Sequence, residues 1–237
     1  LAEKYKQHKL LANNLYHKSL MAINTGDYQN AKKSIKQAIK IAKDEDYLNN
    51  AAKYLDCLGI IYRYEKKYKK ALDAVDESLS ITKIIGDKHG ERKYLNSIGL
   101  VKEHTADYSG ALEIYLKCLK LSKNISEKRS IAVSYNNIGC VYACLNEPEL
   151  ANKNFKKALI FSKRINYKEG VAAFQFNIAF AYGKLEEYQK SLKLIESSIE
   201  DHRDLKSDHP FIVSCEIYKT YIYLLKKDND KIIENFE

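Results

Sequence analysis

Residues 134–159 read SYNNIGCVYACLNEPELANKNFKKAL, and the fold follows from how this stretch divides. Tyr135, Ile138, Gly139 and Tyr142 recur at intervals of three and four residues, which places them on one face of a helix. After a short polar break, Ala151, Phe155 and Ala158 do the same for a second helix. Gly139 and Ala151 are small enough to let two such helices cross closely.

The pattern repeats at a fixed step. Tyr28, Tyr68, Tyr108, Pro148 and Tyr188 are each 40 residues apart. Three residues further on stand Ala31, Ala71, Ala111, Ala151 and Ser191, and nine residues before stand Ser19, Gly59, Gly99, Gly139 and Ala179. Three columns of small or aromatic residues held in register over five copies define an internal repeat. One helix pair cannot bury enough apolar surface to offset its conformational entropy, so equivalent pairs must stack into a shared core. The expected fold is therefore all-α: a solenoid of antiparallel helix pairs.

The order aromatic-x-x-apolar-Gly-x-x-Tyr, then Ala-x-x-x-aromatic, resembles the tetratricopeptide repeat. The 40-residue step and the exit IGDKHG (residues 85–90) before YLNSIG resemble the long-period arrays of bacterial regulatory proteins. They also resemble peptide-pheromone receptors and eukaryotic scaffolds of this family. The resemblance implies a right-handed superhelix whose inner wall comes mainly from the first helix of each pair. It predicts one solenoid over residues 1–237, with repeats at about 12–45, 52–85, 92–125, 132–165 and 172–205 and a partial repeat at 211–237. About six residues more than the common 34-residue period add roughly 9 Å of helix per repeat, shared between both helices.

Composition agrees with a stacked helical core and excludes several alternatives. Of 237 residues, 45% are hydrophobic and only 2 are Pro. Lys and Arg number 40 against 31 Asp and Glu, a net charge of +9 that favours acidic partners. Most of that excess is Lys spread over outward faces, without the concentrated Arg of a nucleic-acid-reading helix, so no direct nucleic-acid contact is expected. The five cysteines form no Cys-x-x-Cys pair and no His completes a zinc site, so no metal or cofactor is expected. Unpaired buried thiols suit the cytoplasm. The longest apolar stretch, residues 170–182, is too short for a membrane span. The opening at Leu1 is expected of a piece of a longer protein.

Along the chain, residues 1–11 read as a polar helical lead-in. Lys102 takes a Tyr position in the third repeat, with its stem along apolar surface. Asn146-Glu147-Pro148 reads as an N-cap followed by a Pro in the first turn. Gln175 interrupts an apolar stripe. Residues 204–211 read as a polar loop ended by Pro210, and residues 228–237 as the start of a partner for the last helix.

No phosphate loop, nucleophile elbow or zinc-protease motif is present, and Glu186-Glu187 reads as surface charge at a turn, so the chain is not expected to be an enzyme. On the resemblance, the inner wall carries Asn13 and Tyr16; Lys53, Asp56 and Arg63; Lys93, Asn96 and His104; Asn136, Asn137 and Cys140; and Asn177, Phe180 and Lys184. Asparagine is a poor helix-interior residue, yet Asn96, Asn136, Asn137 and Asn177 recur on equivalent or adjacent turns of consecutive repeats. A primary amide both donates and accepts, as the main chain of an extended peptide requires; bonds between repeats account for the same residues. Lys53, Arg63, Lys93 and Lys184 add positive charge for acidic or carboxylate groups. Phe180, with Phe176, offers either a side-chain pocket or packing between repeats.

The expected function is a protein-interaction module that binds a peptide or helix in its groove, within a larger regulatory or scaffold protein. The alternative is the signalling-peptide receptor domain of a transcriptional or two-component regulator. Self-association through the terminal helices is a further expectation.

Overall fold

Small-residue columns dictate the packing. The computed structural model describes residues 2–205 and 209–227, and among these residues the chain is helical with no strand. The helices are α1 (Ala2–Asn24), α2 (Tyr28–Asp44), α3 (Leu48–Tyr64), α4 (Tyr68–Ile84), α5 (Lys88–His104), α6 (Tyr108–Asn124), α7 (Lys128–Cys144), α8 (Pro148–Arg164), α9 (Lys168–Lys184), α10 (Tyr188–Asp204) and α11 (His209–Lys226). None is long and apolar enough to cross a membrane. The chain divides into two compact units, Leu1–Leu121 and Ser122–Glu237.

Helices α2 to α10 are each 17 residues long, so the extra length of the repeat is shared equally within each pair. With three-residue links, the structure steps every 20 residues, half the period visible in the sequence. Each link is built alike. Its middle residue is left-handed: Gly26, Asp46, Lys66, Gly86, Ala106, Ser126, Asn146, Asn166 and Glu186 all have φ between 53° and 76°. That conformation lets the next amide reach back, as Lys67 N–H does to Tyr62 O at 2.8 Å while Lys66 N–H bonds Arg63 O at 3.0 Å. These paired bonds satisfy carbonyls the helix end would leave bare.

The residue after each left-handed position caps the next helix. Asp27 and Asp87 do so with their side chains, accepting from Asn30 N–H and Gly90 N–H. Asp107 accepts from Gly110 N–H in the same way at 3.0 Å. The expectation for residues 146–148 is corrected: Glu147 is the cap, without a side-chain bond, and Asn146 supplies the left-handed turn. Asparagine suits that conformation better than capping here, because the link geometry puts it one residue too early. The loop expected over 204–211 is also shorter, since α11 already begins at His209. Of the lead-in expected at 1–11, residues 2–11 belong to the first helix.

Within each pair the helices cross at the small columns. A Cβ added to Gly59, Gly99 or Gly139 would lie 2.5 Å from Val75, Tyr115 or Phe155, respectively. At the two ends of the series the small residue is larger than glycine and the residue 16 positions on is isoleucine: Ser19 with Ile35, and Ala179 with Ile195. Ser19 Oγ donates to Ala31 O at 3.0 Å, and Ser191 Oγ returns the favour from the other helix, donating to Ala179 O at 2.8 Å. A second crossing lies further along the pair. Ser78 Oγ donates to Ala52 O at 2.9 Å and Ser198 Oγ to Ala172 O at 2.8 Å, while Cys118 Sγ takes the same place against Arg92 O. Ala12, Ala52, Ala132 and Ala172 are all buried there.

Lys102 lies beside its link and donates to Asp107 at 2.6 Å. Cys57, Cys118 and Cys215 are buried, and burial pushes their thiols up to about 11, 12 and 11. Cys144 departs from the expectation of buried thiols: it is exposed. On α11, Val213, Ile217, Tyr221 and Leu224 present an exposed apolar face. Residues 228–237, expected to begin its partner helix, lie outside the described residues.

Three carboxylates tie local structure to pH. Asn30 holds Asp27, Lys102 holds Asp107 and Lys32 holds Glu65 below the usual carboxylate range. A lowered folded-state pKa means the stabilisation is complete above the unfolded value and is lost as protons bind. The urea midpoint is therefore expected to fall as pH drops below about 4, and Asp27→Asn with Asp107→Asn should flatten that fall. A midpoint that is flat or rises on acidification would refute the assignment.

Candidate functional site

Step and register together decide which inner side chains meet. Odd-numbered helices touch within each unit: α1 with α3, α3 with α5, and α7 with α9. The even helices α2 and α4, or α8 and α10, make no comparable contact, so in each unit the odd-helix face is the tighter one. Across it, a residue meets those 37 and 41 positions later, which are one helical turn apart.

In the first unit, Asn13 Oδ1 accepts from Tyr54 Oη at 2.8 Å and from Asn50 Nδ2 at 3.3 Å. Asp56 obeys the same rule. It is only 2% exposed, accepts from Ser97 Oγ at 2.7 Å and pairs with Lys93 Nζ at 3.0 Å. Burial without such partners would be costly for a carboxylate, and the pair satisfies both of its oxygens. Lys53 Nζ sits 4.1 Å over the Tyr16 ring, which in turn lies 5.3 Å from Tyr54. Burial raises the pKa values of Tyr16, Tyr54 and Tyr94, so these hydroxyls stay protonated as donors. At the end of the same face, Arg63 Nη1 approaches His104 Nε2 at 3.0 Å, and the His104 ring stacks on Tyr68. Asn96 is half-buried on α5, next to Ser97.

The second unit gathers the remaining amides. Asn177 Nδ2 donates to Asn136 Oδ1 at 2.7 Å, and Asn136 Nδ2 lies 3.4 Å from Asn137 Oδ1 and 3.8 Å from Cys140 Sγ. All three asparagines are half-buried. Bonds between repeats thus take part of their capacity, and an amide can make up to four. Phe180 packs 5.4 Å from Tyr218 of α11, with Lys184 Nζ 5.8 Å over its ring. Phe176 lies 5.5 Å from Phe211 and 5.7 Å from Tyr218. The void beside Phe180 and Lys184 is about 10 Å³, too small for a ligand side chain.

Of the anticipated inner-wall cations, Lys93 is neutralised by Asp56 and Arg63 is engaged with His104; Lys53 and Lys184 lie over aromatic rings. Sequence reading missed Asn50, Tyr54 and Ser97, which complete the polar clusters. Their spacing of 37 or 41 from Asn13 and Asp56 was the available signal, hidden because the register offset belongs to the packing. Among the described residues no group of three or more His, Cys, Asp or Glu side chains could hold a metal ion.

Comparison with known proteins bears on this arrangement. Models of the tetratricopeptide repeat match residues 12–45, 48–124 and 91–161. No curated protein matches the chain by sequence. Among solved structures, BtubC from P. vanneervenii superposes with a TM-score of 0.78 at 16% identity, over 88% of this chain and 87% of its own. A multidomain signal transduction ATPase with a tetratricopeptide repeat sensor, from Pyrococcus horikoshii, gives 0.75 at 18% identity; 97% of this chain aligns with only 35% of that one. A Rap protein complexed with Competence and Sporulation Factor gives 0.74 at 16% identity, over 95% and 68%. Such low identities establish the fold alone.

Proposed function

Because the chain belongs to the tetratricopeptide repeat family, we propose that its odd-helix face binds a peptide or helix of a partner protein, within a larger regulatory or scaffold assembly. The observation that supports this best is the run of half-buried amides, Asn136, Asn137 and Asn177, bonded to one another. Their interlocked bonds hold the amides in place, so a ligand main chain meets a preorganised surface and loses less entropy on binding. The first unit has a half-buried amide of its own on α5, Asn96. The occupant carries acidic or carboxylate groups, drawn by the net charge of +9 and by Lys53 and Lys184. Free cysteines throughout the described chain suit a cytoplasmic setting.

Short peptides selected by phage display against this chain provide the test. Asn96→Ala, Asn137→Ala and Asn177→Ala combined should weaken the selected peptides by about tenfold or more, at roughly 1 kcal/mol per lost bond. Unchanged affinity would end the reading.

A second reading has one observation in its favour, the likeness to the Rap protein solved with Competence and Sporulation Factor. On it, the array receives a signalling peptide and passes a change of curvature to an attached output module. A selected peptide that contracts the array in small-angle scattering supports it; an unchanged profile on saturation opposes it.

A further inference from the structure

Two positions in the last complete helix pair break columns that are apolar everywhere else. Gln175 stands where the preceding copies carry Leu15, Leu55, Leu95 and Tyr135. Asp201 stands where they carry Ile41, Ile81, Leu121 and Phe161. The structure places these two exceptions together. Gln175 is 7% exposed, and one orientation of its amide satisfies all its neighbours. In it Nε2 donates to Asp201 Oδ2 at 2.7 Å and to Val171 O at 3.2 Å, and Oε1 accepts from Ser197 Oγ at 2.8 Å. The reverse orientation sets oxygen against oxygen.

Asp201 faces a cavity of about 280 Å³. Lys163, Lys168, Val171, Asp201, Asp204 and Leu205 line it. No ion pair joins the two lysines to the two aspartates among the described residues. Three of the four charges also sit at the wrong helix ends. Lys168 opens α9, at its electropositive terminus, and Asp201 and Asp204 lie in the last turn of α10, at its electronegative one. The cavity thus draws lysines from α8 and α9, aspartates from α10, and an apolar contact from Val171 and Leu205.

We propose that this cavity binds a small zwitterion of the free amino-acid class. The ammonium lies against Asp201, which the buried Gln175 amide holds in place, and Asp204; the carboxylate lies against Lys163 and Lys168. The volume is at the lower end for ligand sites, which suits one amino acid and not a folded partner. The site is apart from the amide face and stands or falls independently of it.

Calorimetric titration of the chain with each common free L-amino acid is the test. At least one is expected to bind with a Kd of about 1 mM or tighter, and its N-acetyl and C-amide forms to bind at least about tenfold more weakly. Asp201→Asn and Lys168→Gln should each weaken binding by about tenfold with unchanged circular dichroism. The apolar double variant Gln175→Leu with Asp201→Leu should abolish binding and raise the melting temperature. No heat of binding up to about 10 mM, or an affinity indifferent to Asp201→Asn, overturns the proposal.

Discussion

Truncating Phe155 to alanine is expected to cost about 3–5 kcal/mol, the range for removing a large buried aromatic. The ring is 2% exposed and covers Gly139 at the point where α7 and α8 cross. Its loss opens a cavity that rigid helices on either side cannot close. The same contact makes a complementary test. Gly139→Ala places a methyl 2.5 Å from the Phe155 ring, and overpacking of this kind costs about 1–3 kcal/mol even after the gain in helix propensity. Combining Gly139→Ala with Phe155→Ile recreates the pairing that the chain uses at Ala179 and Ile195, both fully buried. The double variant should therefore be more stable than the summed effects of Gly139→Ala and Phe155→Ile, each measured alone, allow. Urea denaturation reads all four variants as midpoint shifts. Additive single and double effects would mean that the glycine and the ring do not meet.

Glycine at four of the links should raise stability by about 2–4 kcal/mol in total. Lys66, Ala106, Ser126 and Glu186 each hold φ between 56° and 59°, a region that strains side chains other than Asn or Asp. Relief is worth about 1–3 kcal/mol per position, reduced by the greater freedom glycine gives the unfolded chain. The links at Gly26 and Gly86 show that the same turn closes with glycine. The four positions share no partner, so their effects should add. The melting temperature of Lys66→Gly, Ala106→Gly, Ser126→Gly and Glu186→Gly combined checks this; a decrease would refute the strain argument.

The 40-residue step, the paired helices and the small crossing column at Gly59, Gly99 and Gly139 were legible in the chain. Each is a matter of residue type at helical spacing, which a linear pattern preserves. The second crossing, Ala52 with Ser78 and Ala172 with Ser198, repeats just as regularly but went unread, because Ala and Ser mark no helix face by hydrophobicity. The 20-residue half-step was concealed for a related reason: the left-handed positions hold Gly, Asp, Lys, Ala, Ser, Asn and Glu, and backbone hydrogen bonds impose their conformation on all of them.

By itself, then, the sequence determined that helices form, where they pair and which residues lie between them. These properties depend on side chains three, four or 40 residues apart. Only the tertiary structure decided that Asp56 meets Lys93 and Ser97, that Asn136 meets Asn177, and that Gln175 meets Asp201 at the edge of a cavity. Those meetings depend on how far one helix slides and turns against the next. That register is set by the sum of many packing contacts, and no single pair of residues encodes it.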